Sequence, residues 1–289
     1  MSISVELGDT KEVRLLSGTI RYRERGTGEP IVFVHGLLVN GDLWRKVVPE
    51  LASEFRCITP DWPLGSHDVP ASKDADLSPP GIARIVADFI EGIGLDDVTL
   101  VGNDTGGGIC QLVIANHSEK IGRLVLTNCD AFENFPPGVF KLMPLLARLP
   151  GFVTITVRLQ NWPPTRNTFF KTLAKHEIEA EILTSYSRPA LDAGVRADLS
   201  EILKKAAGAS RHTLAAAKTF ADFRKPVLIA WAPSDRFFAW KYAERLRDAF
   251  PMARLERIED SRTFVPEDQP EKLAELIRAF IHESKEATV

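Results

Sequence analysis

Cysteine is scarce: the 289 residues hold three, and Cys57, Cys110 and Cys129 neither share a metal-ligand spacing nor can all pair with one another. Each lies in an apolar stretch, so reduced, buried thiols are expected, and neither a disulfide framework nor a metal site is predicted. Charge of one sign is equally lacking. With 36 Lys and Arg against 39 Asp and Glu, interspersed along the chain, the formal charge is −3. This balance gives no electrostatic reason to expect nucleic acid or an anionic membrane as partner, which leaves a small-molecule substrate. No run approaches the length of a membrane span, and the opening Met1 to Glu6 lacks a basic region followed by an apolar one. A cytoplasmic protein that makes no membrane contact is therefore predicted. What is present is ordinary for a packed interior: 44% hydrophobic and 26% charged residues, enough for one large core with an excursion from it.

Short β-branched runs alternate with helical patterns through the first half, as in a largely parallel sheet with helices on both faces. The expected strands are a leading hairpin over Val13 to Tyr22, then Ile31 to Val34, Phe55 to Thr59, Val98 to Val101 and Leu124 to Thr127. Helices are predicted from Asp42 to Ala52, Ser78 to Ile93 and Gly106 to Asn116, the second with Ser78 as N-cap and Pro79 and Pro80 in its first turn. After Asp130 the alternation stops. Some ninety residues read as helical with proline-rich joints, before Val227 to Trp231, a helix to Phe250, a strand at Arg254 to Ile258 and a closing helix from Glu271 to His282. The chain thus divides into residues 1–130 and 221–289, which form an α/β core, and residues 131–220, a helical cap over the carboxyl ends of the strands, where open sheets bind ligands.

The most informative segment is Val98 to Gln111, an apolar strand running through Gly102-Asn103-Asp104-Thr105-Gly106 directly into a helix. Glycines two residues either side of Asp104 permit a tight turn that lifts its side chain above the sheet, beside the free N–H groups at the helix start. Two further segments follow in compatible order: His35-Gly36-Leu37 after a buried strand, and Asp235 after Val227 to Trp231.

Together these motifs resemble the α/β-hydrolase superfamily, from Val13 to His282, and an aspartate at the elbow is similar to haloalkane dehalogenases and epoxide hydrolases. The resemblance implies an α/β-hydrolase fold and a cofactor-independent hydrolase. It implies that Asp104 attacks carbon to form an ester, that the N–H groups of Leu37 and Thr105 form the oxyanion hole, and that Asp235 orients a histidine that activates water. The chain departs from this pattern in the last loop, Glu259 to Pro266, where Thr263 stands in place of that histidine. It also departs at Thr105, where dehalogenases carry a halide-binding tryptophan, and in having Tyr186 as the one cap tyrosine where epoxide hydrolases use two.

Each residue also has a plainer reading. The plainer reading of Asp104 is an N-cap, and that of Asp235 and Asp130 a turn residue. Were Asp130 to approach Asp104, the two like charges would raise one pKa and leave a proton-sharing pair able to do acid–base work without histidine. His67, in the loop Pro63 to Pro70, and His35 are candidate surrogate bases, the first otherwise a solvated loop residue and the second otherwise a brace for the oxyanion loop. Trp62 and Tyr186 are candidate pocket residues. Three functions follow from these residues: a hydrolase using Asp104 as nucleophile or base on a small to medium apolar substrate, a lyase or isomerase using Asp104 as base, and a noncatalytic ligand-binding homologue.

Overall fold

The computed structural model describes residues 2–286. Its apolar runs form eight strands: β1 (Asp9–Leu15), β2 (Gly18–Arg25), β3 (Glu29–Val34), β4 (Phe55–Pro60), β5 (Val98–Asp104), β6 (Ile121–Cys129), β7 (Val227–Trp231) and β8 (Ala253–Arg257). They make one sheet in the order β1-β2-β4-β3-β5-β6-β7-β8. The β1 and β2 strands pair antiparallel, as do β2 and β4, and every pairing from β4 to β8 is parallel. This is the α/β-hydrolase fold read from the sequence.

The parallel strands are apolar because both of their faces are covered. Along β7, Val227, Ile229 and Trp231 enter one packed layer while Leu228 and Ala230 enter the other, the period-two alternation of a strand. One layer is closed by the helix Pro79–Gly92, whose Ile82, Ile85, Val86, Phe89 and Ile90 are buried at helical spacing. Ser78 caps that helix by accepting the Gly81 N–H at 3.3 Å.

One predicted helix is broken. The segment from Asp42 to Ala52 forms a 3-10 turn, Gly41–Trp44, and a separate short helix, Val48–Leu51. Pro49 lacks the N–H that a continuous helix would bond back to Arg45, so the chain restarts there.

Between β6 and β7 the described residues form helices and no named strand, the longer ones being Phe152–Gln160, Pro163–Leu173, Ala180–Ser187, Ala193–Lys205 and Ser210–Ala216. Side-chain bonds pin this segment to the core. Ser66 Oγ donates to the Tyr186 carbonyl at 2.6 Å, and Arg45 bridges Glu179 and Glu267. Among the described residues no helix is long and apolar enough to cross a membrane.

The chain passes from β3 to β4 on one side of the sheet and later to β5 on the other, so β3 and β5 flank a switch point. A crevice opens beyond the carboxyl ends of such strands. His35 to Leu38 leave β3 there, and Asp104 ends β5 there.

Candidate active site

Helix Thr105–Asn116 begins at the residue after β5, which forces Asp104 into φ +55°, ψ −132°. A non-glycine residue in this region stores roughly 1–3 kcal/mol, so the surroundings must hold it. They do so from both neighbouring strands. The β5–β6 register shifts between Gly102 and Asp104, and the Asp130 N–H donates to the Asp104 carbonyl at 3.3 Å. A Cβ at Gly106 would collide with the Val34 carbonyl, and one at Gly36 with the Asp104 carboxyl group itself. Both glycines are therefore demanded by close approach.

The Asp104 carboxyl faces the N–H groups of Thr105 and Leu37, which favour its ionised form. Burial is the larger influence, and with the charge of Asp235 nearby it raises the Asp104 pKa to about 7. Asp130 is buried too and is pushed well above the carboxylate range, first by desolvation and then by the charge of Asp104. One Asp130 oxygen has no hydrogen-bond partner among the described residues. Near neutral pH the two carboxyls cannot both ionise at ordinary cost, and they titrate as a pair.

Asp104 opens on a cavity of about 330 Å³ under the cap. Its walls are apolar, with Leu37, Leu64, Ile82, Phe135, Phe140 and Leu173 among them. The polar side chains in the lining are Asp104, Thr105, Thr156, Gln160 and Thr165. The arrangement concentrates one partly ionised carboxyl, two amide donors and a few neutral hydrogen-bonding groups in a medium of low polarity.

The residues considered as surrogate bases or pocket groups lie elsewhere. His35 is fully buried, with Nδ1 2.9 Å from the Gly36 carbonyl and Nε2 accepting the Trp62 N–H at 2.9 Å. Both nitrogens are committed, and burial lowers the ring pKa to about 3, so His35 braces the loop and is not a base. His67 is also buried, not solvated. Its Nε2 meets Asp198 at 3.0 Å and its Nδ1 accepts the Gly65 N–H, and it is not among the residues that line the cavity. Trp62 donates its indole N–H to the Phe33 carbonyl at 3.0 Å inside the core. Tyr186 donates to Glu267 at 3.2 Å, and neither aromatic lines the cavity. The partners of His67, Trp62 and Tyr186 hold these side chains out of the cavity lining and correct their reading as base or pocket groups, while the contacts of His35 agree with its reading as a brace of the oxyanion loop.

Asp235 and Thr263 sit side by side without a base between them. Asp235 accepts the N–H groups of Phe237 and Phe238 at 2.7 and 3.1 Å and the Asn128 amide at 2.9 Å. Burial raises its pKa while these donors and the Thr263 hydroxyl oppose the shift. Thr263 is buried, and its carbonyl accepts the Asn103 amide at 2.7 Å. The histidine bonded to this last loop, His176, meets Asp260 at 3.0 Å on the exposed side.

Sequence reading missed Asn128, Thr156, Gln160 and Thr165. Asn128 ends a buried strand and the other three lie on cap helices, where nothing in the local pattern distinguishes a cavity-facing polar residue from an ordinary one.

The elbow after β5, the loop after β3 and the acid after β7 stand in this fold, and the chain belongs to the alpha/beta hydrolase fold family, whose profile matches residues 29–270. Among its relatives is haloalkane dehalogenase 2 of Mycobacterium tuberculosis, 27% identical over 269 residues and 90% of each chain. A cis-3-alkyl-4-alkyloxetan-2-one decarboxylase of Xanthomonas campestris is 28% identical over 274 residues and 88% of each chain. Among solved structures, a loop variant of a haloalkane dehalogenase from Bradyrhizobium elkanii superposes with a TM-score of 0.80 at 17% identity, covering 97% of this chain and 99% of that one. A putative epoxide hydrolase from Pseudomonas aeruginosa gives 0.79 at 20% identity, covering 96% and 97%.

Proposed function

We propose that this α/β-hydrolase-fold enzyme acts on a small to medium apolar substrate with Asp104 as nucleophile. One observation carries the reading: the carboxyl on the elbow opens on an apolar cavity of about 330 Å³ while two backbone N–H groups face it. A carboxylate oxygen set against those N–H groups fills the place that the oxyanion of an ester substrate would need. The electrophile that suits the other oxygen is therefore a saturated carbon. Asp104 supplies the electron pair of the new C–O bond, the bond from that carbon to its leaving group breaks, and the leaving group departs with its electrons. Neither a tryptophan nor a tyrosine lines the cavity, so Thr105 and Gln160 are the groups assigned to the leaving atom.

Hydrolysis then needs water at the ester carbonyl, with the developing negative charge against the Leu37 and Thr105 N–H groups. Thr263 does not serve as base near neutral pH, so the water's proton is assigned to Asp130. Esterification neutralises Asp104 and removes its repulsion on Asp130, which lowers the Asp130 pKa although burial still raises it, so Asp130 releases its own proton to solvent before it takes the proton of the attacking water.

Intact-protein mass measurement after incubation with a panel of alkyl halides, epoxides and esters tests this reading. A mass addition mapped to Asp104, or turnover lost in Asp104→Asn, supports it. No adduct, no turnover and ligand binding unchanged by Asp104→Asn contradict it and leave a binding protein.

A second reading has its own support. A buried carboxyl with a pKa of about 7, whose charge raises the pKa of Asp130, suits general acid–base work, and an oxetanone decarboxylase stands among the relatives. Asp104 would then be the base of a cofactor-free lyase or isomerase. Its signature is solvent deuterium entering the substrate without any protein adduct, lost in Asp104→Asn.

A further inference from the structure

The near-neutral total charge conceals a local imbalance. Residues 134–176 contain six of the 36 Lys and Arg residues and none of the 39 Asp and Glu residues. The same stretch carries six of the twelve large apolar side chains that the surface leaves exposed among the described residues. Leu142, Leu145, Leu149, Ile155, Leu159 and Trp162 each expose between 49% and 64% of their surface.

Their spacing gathers them. Leu142, Leu145 and Leu149 recur at helical intervals through the turn Gly138–Leu142, the helix Met143–Leu146 and the turn after it, and Ile155 and Leu159 lie one turn apart on Phe152–Gln160. Lys141, Arg148, Arg158 and Lys171, all exposed, stand among them, and none has a carboxylate partner among the described residues. Arg148 also lines an open cleft of about 310 Å³ with Arg196 and Lys204, and no acid lines that cleft. Lys204 keeps its own partner, Glu201, at 2.9 Å. Apolar side chains interleaved with unpaired cations match a surface that is hydrocarbon within and anionic at its head groups.

We infer that this cap face docks on an anionic lipid surface. Insertion would be shallow, since no helix here is long and apolar enough to span. Leu159 is both exposed on this face and part of the cavity lining, as are the less exposed Phe140 and Met143 beside it. An apolar substrate dissolved in the bilayer would therefore meet the cavity at the docked face. That second step rests on the function proposed above, whereas docking itself does not, and Asp104→Asn separates them by leaving vesicle binding unchanged.

Vesicle cosedimentation at low salt tests the inference, with phosphatidylcholine vesicles alone and with vesicles in which about half the lipid is phosphatidylglycerol. The protein is expected to sediment with the anionic vesicles and to be released by salt. The emission of Trp162, the most exposed of the five tryptophans, is expected to shift to the blue on binding. Reversing Arg148→Glu with Arg158→Glu is expected to weaken binding at least about tenfold. Leu145→Ser with Ile155→Ser is expected to weaken it by a similar factor, roughly, with the melting temperature unchanged because both side chains are exposed. Equal binding to neutral vesicles, binding that survives the charge reversal, or no binding to anionic vesicles at low salt overturns the inference. So does a dimer that Leu145→Ser with Ile155→Ser dissolves in the absence of vesicle binding, since the face would then be a contact between two copies of the chain.

Discussion

Asp104 ends β5 and Asp235 follows β7, two parallel strands separated by β6, and the surroundings of the two carboxyls differ. Asp235 is held by three donors, two backbone amides and the side chain of Asn128, at 2.7 to 3.1 Å. It fastens the turn after β7 to the end of β6. Asp104 has two amides facing it, an apolar cavity in front and a second buried carboxyl behind. In the function proposed above, two residues of one type thus serve as a tie and as the nucleophile, according to how completely their oxygens are satisfied.

The largest effect expected is on chemistry. Asp104→Asn should lower adduct formation or turnover at least about a thousandfold, since the residue supplies the reacting oxygen. Asn also tolerates the positive φ at this position. Asp235→Asn should leave adduct formation within about tenfold of the parent, because Asp235 does not touch the reacting carbon in this account. A variant pair with the opposite ranking would reverse the comparison.

The next effect concerns stability and pH. Asp104 has an ordinary pKa of 3.8 and a folded value of about 7, so between these values the folded state holds the proton more tightly than the unfolded chain. Stability therefore falls as pH rises through that window, by up to about 4 kcal/mol. Asn carries no charge to bury. Asp104→Asn should melt close to the parent near about pH 4 and be more stable by about 2–4 kcal/mol near about pH 8, as read from paired denaturation curves.

A gain of function follows in size. Thr263→His places a base beside Asp235, where its acid and the developing charge at Asp104 are both close. Decay of a preformed aspartyl ester should accelerate by about a hundredfold, measured as the lifetime of the mass addition, at a cost of about 1–3 kcal/mol in stability for the larger buried side chain. An unchanged lifetime would show that Thr263 does not mark the position of the missing base. The smallest effect belongs to the tie. Asp235→Asn should cost about 1–3 kcal/mol, because its new amide donor would face the Asn128 donor and leave a buried group unpaired.

The elbow was legible in sequence because every requirement is local: an apolar strand, glycines at 102 and 106, and a helix starting at once. The strands β3 and β5 to β7 were legible for the same reason, as runs buried on both faces. The broken helix near Pro49 was missed although its signal was local. His67 and Tyr186 were misjudged for a different reason. His67 finds Asp198 and Tyr186 finds Glu267 across 131 and 81 residues of chain, so their partners are set by how the cap folds back on the core. The polar lining at Thr156, Gln160 and Thr165 is hidden in the same way. The cationic stretch of the cap was visible as composition, yet averaging charge over the whole chain concealed it and supported an expectation of no membrane contact.

The account turns on the ionisation of one carboxyl. Carbon-13 labelling of the aspartates, with Asp104→Asn used to assign the signal, allows the Asp104 carboxyl to be titrated directly by NMR without any substrate. The expected inflection lies near about 7 and moves downward in Asp235→Asn, because the charge of Asp235 helps to raise it. An inflection below about 5, unmoved by that substitution, would mean an ordinary solvated aspartate and would contradict the central claim.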